Sequence, residues 1–147
     1  MNTIIRKAEA NWKGDLDNGH GLVSTESRVL TESEFSFKQR VNQDAKSTNP
    51  EELLAASASS CFAMELSKTL QDEGKVPEKL RVRADVSLNI DDSPKLTEMT
   101  LHVEGMLSDY SDEKLKEAVK KTAENCPVFQ LLKPGFDKIN LESSLQV

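Results

Sequence analysis

The stretch that most constrains this chain is residues 48–68, Thr-Asn-Pro-Glu-Glu-Leu-Leu-Ala-Ala-Ser-Ala-Ser-Ser-Cys-Phe-Ala-Met-Glu-Leu-Ser-Lys. It carries the marks of a helix start. Asn49 can cap, Pro50 takes the first helical position, and Glu51 and Glu52 put negative charge beside the free N–H groups of the first turn. Asn49 and Glu52 have the spacing of a capping box. Small residues then run from Ala55 to Ser60, up to Cys61. Small side chains let another backbone come close, so the helix is expected to be packed on several sides. Cys61 should be a deeply seated thiol, with Phe62, Met64 and Leu66 beyond it. The helix should end near Gly74, with Pro77 a usual stop.

The segments on either side read mainly as strands. Residues 3–13 and 22–25 flank a turn rich in Gly, Asp and Asn, which predicts a hairpin. Residues 34–41 alternate, with Phe35, Phe37, Gln39 and Val41 on one face and Ser36, Lys38 and Arg40 on the other. After the helix, residues 80–90 and 96–107 flank the turn 91–95 and predict a hairpin with one wet face. Ser111 should cap a second helix carrying Leu115, Val119 and Ala123 on one side. A short helix over 127–132 and a last strand over 136–145 complete the chain. Three strands before the long helix and three after it predict an α+β fold with an antiparallel sheet and helices on one side. At 147 residues, with no linker or repeat, a single domain over 1–147 is expected.

Composition narrows the function. A net charge of −6 with no basic stripe argues against a nucleic-acid partner. No segment is apolar for long enough to span a membrane, and the first residues do not form a signal peptide, so a cytoplasmic location is expected. There a disulfide is usually catalytic or redox-sensing. Two cysteines and two scattered histidines have no metal-site spacing, and no cofactor motif is present.

The chemistry therefore turns on the thiols. A cysteine within a helix is ordinarily a small core residue. Cys126, however, precedes Pro127 at the start of a helix, where free N–H groups favour thiolate. Arg40 lies opposite the apolar face of its strand and would be a permanent charge able to activate a thiol, although a solvated strand residue is the ordinary reading of such an arginine. Glu51 is ordinarily a first-turn carboxylate. Neither His20 nor His102 has a context that makes it a base for a cysteine nucleophile, and Cys-x-x-Cys is absent.

Taken together, residues 48–56, Ser60-Cys61-Phe-Ala-Met64 and Asn125-Cys126-Pro-Val128 resemble the osmotically inducible protein C / organic hydroperoxide resistance (OsmC/Ohr) family. Trp12-Lys-Gly-Asp15, Gly21-Leu-Val-Ser-Thr-Glu-Ser27 and Ala84-Asp-Val-Ser-Leu88 extend the resemblance over nearly the whole chain. It implies an OsmC-like fold, with antiparallel sheets wrapped around long central helices in an intertwined homodimer whose sites lie at the subunit interface. It implies a thiol peroxidase in which Cys61 attacks the peroxide, Cys126 resolves, and Glu51 holds the active-site arginine. In the hydroperoxide-resistance branch that arginine sits in the glycine-rich loop near the N-terminus, which here has none. In the OsmC branch it precedes the central helix, where Phe37-Lys-Gln-Arg40 matches. Arg28 matches no family role, and Phe129 stands where a small polar residue is common.

One distance strains this picture. Ten residues of unbroken helix would put Glu51 roughly 15 Å from Cys61 along the axis, so a break is expected within 54–57. The implied cycle passes through a Cys61 sulfenic acid and a Cys61–Cys126 disulfide, with organic hydroperoxide or hydrogen peroxide as substrate. It needs no bound cofactor, only an external dithiol, for which a lipoyl protein is one candidate. A redox sensor, or a binding domain with passive core thiols, remains open at this point.

Overall fold

The computed structural model describes residues 2–146. The chain packs as two compact units, one ending at Glu52 and the other beginning at Leu53. Each contains one three-stranded sheet, with three strands before the long helix and three after it. Among the described residues no helix is long and apolar enough to cross a membrane.

In the first unit, β1 (Ala8–Lys13), β2 (His20–Thr25) and β3 (Ser33–Phe35) form an antiparallel meander in chain order. Gly21 of β2 lies opposite Phe35, and a Cβ there would come within 2.3 Å of the Phe35 ring. The bare backbone lets that ring lie across β2 and pack on Trp12, with centroids 5.7 Å apart. The strand expected over 34–41 stops early. After Phe35 the chain turns into a short helix, α1 (Phe37–Arg40), because Ser36 caps it and accepts a 3.1 Å hydrogen bond from the Gln39 N–H. Ser36-Phe-Lys-Gln39 has capping-box spacing, which the alternation of Phe35, Phe37 and Val41 masks. Arg40 therefore stands on a helical turn rather than on a strand.

The helix α2 (Pro50–Asp72) is unbroken, so the break expected within 54–57 is absent. Asn49 caps it as expected, its Oδ1 accepting from the Glu52 N–H at 2.7 Å. Glu52 takes the Thr48 hydroxyl in turn, at 2.9 Å. At the other end Gly74 has φ +75, the Gly74 N–H bonds Gln71 O and the Lys75 N–H bonds Leu70 O, a complete Schellman closure. Ala58, Phe62, Leu66, Thr69 and Leu70 are buried and fall on one stripe of the helix. Ala56, Ser57, Ser60 and Met64 are exposed, Met64 by 69%. Within this chain α2 is thus covered on one side only, and Met64 is not a core residue.

In the second unit, β4 (Lys79–Asn89) and β5 (Lys95–Met106) form the expected antiparallel hairpin, with a register shift between Ser87 and Leu88. Met99, Leu101 and Val103 of β5 are fully buried. β6 (Lys138–Leu145) pairs with β5 in parallel, against the expectation of an antiparallel sheet. The reason is the connection. α3 (Asp112–Asn125) and α4 (Pro127–Leu132) intervene and carry the chain back over the sheet as a crossover. Ser111 caps α3, accepting from the Lys114 N–H at 3.2 Å, and Leu115, Val119 and Ala123 face inward as predicted. A Cβ on Gly105 would stand 3.0 Å from Leu107 and 3.5 Å from Leu115, so the glycine lets α3 seat closely on β5. A 3-10 turn, Lys133–Gly135, delays the last strand to Lys138. The buried residues of α2, β5, α3 and α4 form one cluster.

Nothing lies within 4 Å of a Cβ built on Gly74, so substitution there probes the backbone alone. Gly74→Ala is expected to destabilise the protein by about 1–2 kcal/mol, the cost of the left-handed conformation for an L-residue. Urea unfolding should show a lower midpoint with an unchanged slope.

Candidate active site

The structure brings the four residues singled out in the sequence together as two pairs. The first pair is the thiols. Cys61 sits on α2, one residue before fully buried Phe62, and is itself part-exposed. Cys126 closes α3 and opens α4. Its backbone N–H bonds Thr122 O at 2.8 Å, and its carbonyl accepts from the Gln130 N–H at 2.9 Å. The Cys126 thiol is fully buried and donates to Cys61 Sγ at 3.3 Å. The two residues are 65 apart in sequence, so only the tertiary fold makes this contact.

Burial thus differs from the sequence expectation. The deeply seated thiol is Cys126, and Cys61 has the access. The charge expectation changes as well. Burial pushes the Cys126 thiol up to about 11 from an ordinary 9.0. The N–H groups of Phe129 and Val128 pull it down, as a helix start should, while the neighbouring Cys61 sulfur pushes it up. Desolvation outweighs the helix terminus, and Cys126 keeps its proton at neutral pH.

Side-chain contacts fix the sulfurs from both directions. Thr122 Oγ1 donates to Ala118 O at 2.7 Å and meets Thr69 Oγ1 at 3.1 Å, which ties α3 to α2. Phe129 packs edge-on against Phe62, with centroids 5.9 Å apart and the rings at 63°. The sequence flagged Phe129 only as a departure; the pairing with Phe62 could not be read from it.

The second pair is Arg40 and Glu51, in the first unit. Arg40 Nε lies 3.1 Å from both Glu51 carboxylate oxygens, and Nη2 lies 2.5 Å from Oε1. Glu51 is only 8% exposed. The hydrogen bond to Glu51 raises the Arg40 pKa further above its usual range. The pair is a fork on a carboxylate, and it leaves the Nη1 N–H groups directed elsewhere.

Arg28 has a different place. It has φ +65 in the β2–β3 connection, where its N–H bonds Thr25 O at 3.0 Å and its carbonyl accepts from Thr31 Oγ1 at 2.8 Å. Its backbone shapes a turn, and its side chain is exposed. His102 is held on the outer sheet face between Asp85, at 2.8 Å from Nε2, and Glu142, at 2.8 Å from Nδ1. Burial alone would raise Asp85, but its bonds to Arg83 and His102 outweigh that and hold it below the usual carboxylate range. Among the described residues no cluster of His, Cys, Asp and Glu could hold a metal.

Comparison with known proteins places this architecture. The family model described as OsmC-like protein matches residues 43–140, a span that includes Glu51 and both cysteines. The chain belongs to the OsmC-like family. The Peroxiredoxin OsmC of Escherichia coli is 38% identical over 132 residues, covering 89% of this chain and 92% of its own. Among solved structures, the organic hydroperoxide resistance protein OhrB of Bacillus subtilis aligns with a TM-score of 0.69 at 26% identity, covering 94% of this OsmC-like chain and 98% of its own. An organic hydroperoxide resistance protein from Elizabethkingia anophelis aligns with a TM-score of 0.75 over 99% of this chain and all of its own, at 24% identity, which speaks to the fold.

The asymmetry between the thiols has a direct readout. At pH 8 a limiting amount of iodoacetamide should modify Cys61 and leave Cys126 free, as peptide mass mapping would show. The raised Cys126 pKa also bears on stability. The unfolded thiol loses its proton near pH 9 and the folded one near 11, so the contribution is complete below pH 9 and fades as pH rises toward 11. Cys126→Ala should lack that alkaline loss in urea titrations between pH 8 and 11.

Proposed function

We propose that this chain is a two-cysteine thiol peroxidase that reduces organic hydroperoxides or hydrogen peroxide. The observation that carries the reading is the Sγ–Sγ contact of 3.3 Å between an accessible and a buried, protonated thiol. Membership of the family, and the peroxiredoxin name of the E. coli relative, support a peroxidase-like activity.

In the first step the Cys61 thiolate attacks the distal peroxide oxygen. The O–O bond breaks, the substrate leaves as an alcohol after taking up a proton, and Cys61 becomes a sulfenic acid. In the second step Cys126 attacks that sulfur. Its thiol proton leaves with the sulfenic hydroxyl as water, and the disulfide forms. An external dithiol, such as a lipoyl group on a protein, then reduces the disulfide by exchange and is itself oxidised. We place the cycle in the cytoplasm, where a disulfide that forms and opens is the usual kind.

Arg40 is the residue that supplies positive charge to the attacking sulfur and to the peroxide oxygens, with Glu51 orienting it. In line with the interface sites that the family resemblance implies, the arginine is brought by a second copy of the chain. The exposed Ala56, Ser57, Ser60 and Met64 face supports such a homodimer. So do Ile4, Ile5, Trp12 and Leu16, all large apolar residues left in solvent by one chain alone.

Cys61→Ser should abolish hydroperoxide consumption with a dithiol supply. Cys126→Ser should react once and stop at a sulfenic acid that dimedone traps. Arg40→Ala should slow peroxide reduction by roughly a hundredfold, the scale of a lost electrostatic stabiliser, whereas Arg28→Ala should match wild type. Normal turnover by Cys126→Ser would sink the resolving role. Equal loss from both arginine variants would sink the assignment to Arg40.

The dimer has its own test. Ala56→Trp puts bulk on the exposed face of α2 and should shift sedimentation from dimer toward monomer. A monomeric wild type with full activity would remove the interface from the mechanism.

A further inference from the structure

Cys126 closes α3 and opens α4, which is only six residues long, and a helix of that length does not hold itself together in water. Its one fully buried side chain is Phe129, while Leu131 is 78% exposed. Phe129 sits three residues after Cys126, and the ring it packs on, Phe62, belongs to the residue directly after Cys61. One aromatic contact therefore joins the two turns that present the sulfurs. Gln130 Nε2 donates to Ala123 O at 2.5 Å and ties α4 to α3, while the Thr122–Thr69 bond ties α3 to α2 about one turn before Cys126.

We propose that Phe129 is a positioning residue for disulfide closure: its edge-to-face contact with Phe62 holds Cys126 Sγ within reach of Cys61 Sγ. The inference rests on the peroxidase reading for its place in the cycle. It concerns only the second step, in which Cys61–SOH and Cys126–SH give the disulfide and water. The first step uses Cys61, which stands on α2 and does not depend on the anchoring of α4. Loss of the ring thus separates the two steps. Closure slows because the reacting atoms are no longer held in line, and sub-ångström placement carries large factors in rate.

The test uses the full chain with Phe129→Ser and Phe129→Leu, their folds checked by far-UV circular dichroism. Rapid mixing of reduced protein with tert-butyl hydroperoxide follows sulfenic acid formation and then disulfide formation. The first, peroxide-dependent rate should stay within about twofold of wild type, while closure should slow about tenfold or more in Phe129→Ser and by a smaller factor in Phe129→Leu. Dimedone trapping should rise in step with the slower closure. Unchanged closure in Phe129→Ser overturns the proposal, as does an equal slowing of both steps in well-folded Phe129→Leu.

Equilibration of the Cys61–Cys126 pair with a glutathione buffer reads the same placement without peroxide. Phe129→Ser should lower the effective thiol concentration about tenfold. If wild type forms no sulfenic acid with the hydroperoxide, the peroxidase reading fails, and the glutathione equilibrium alone decides on Phe129. An unchanged equilibrium there overturns it.

Discussion

The burial of one stripe of α2 is the constraint on which the second unit depends. Ala58, Phe62, Leu66 and Leu70 recur at helical spacing and are fully buried. Each of the three larger side chains contributes about 1.5–3 kcal/mol when taken from water. That stripe fixes the rotation of the helix. Cys61 lies at its margin, which is why its sulfur is neither sealed in the core nor free in solvent. Phe62, inside the stripe, then offers its ring to Phe129. A rotation of α2 by one residue, about 100°, would carry Cys61 away from Cys126 and bury a different set of side chains.

The same packing makes the two thiols unequal. Cys126 is desolvated by the cluster around it, and that desolvation outweighs the pull of the N–H groups at the start of α4. A protonated thiol 3.3 Å from a second sulfur acts as a hydrogen-bond donor. The proton stays with Cys126, held there by its burial. The accessible thiol and the buried, protonated one are thus set apart by burial rather than by a histidine. His102 is occupied on the outer sheet face, between Asp85 and Glu142.

What the sequence revealed follows the range of the forces involved. Local signals were legible: the Asn49 cap, the Gly74 stop, the alternation in β4 and the Ser111 cap all act within a few residues. The helical turn at Phe37–Arg40 was not read, because the alternation of Phe35, Phe37 and Val41 hid the Ser36–Gln39 cap. The parallel pairing of β6 was not legible, because it depends on the path of α3 and α4 across the sheet. Nor was the order of burial of the thiols, which depends on what the fold stacks over Cys126. The flanks of the cysteines allowed both to be named, while the contact between Phe62 and Phe129 joins residues 67 apart and has no local signature.

Arg40 and Glu51 illustrate a trade between charge and order. A guanidinium bonded to a carboxylate offers a weaker net field than a free one, since the carboxylate offsets much of it at longer range. It is also fixed, and a fixed donor loses less rotamer freedom when a second anion arrives. Glu51 is well suited to that task because it is itself immobile: it stands in the first turn of a 23-residue helix, beside the positive end of the dipole, and is nearly buried. Nε and Nη2 are spent on the carboxylate, and the Nη1 N–H groups take no part in that fork. A charge-assisted hydrogen bond depends on distance and direction before it depends on total charge. An arginine held by a buried carboxylate is a case in which preorganisation does what a free charge in solvent cannot.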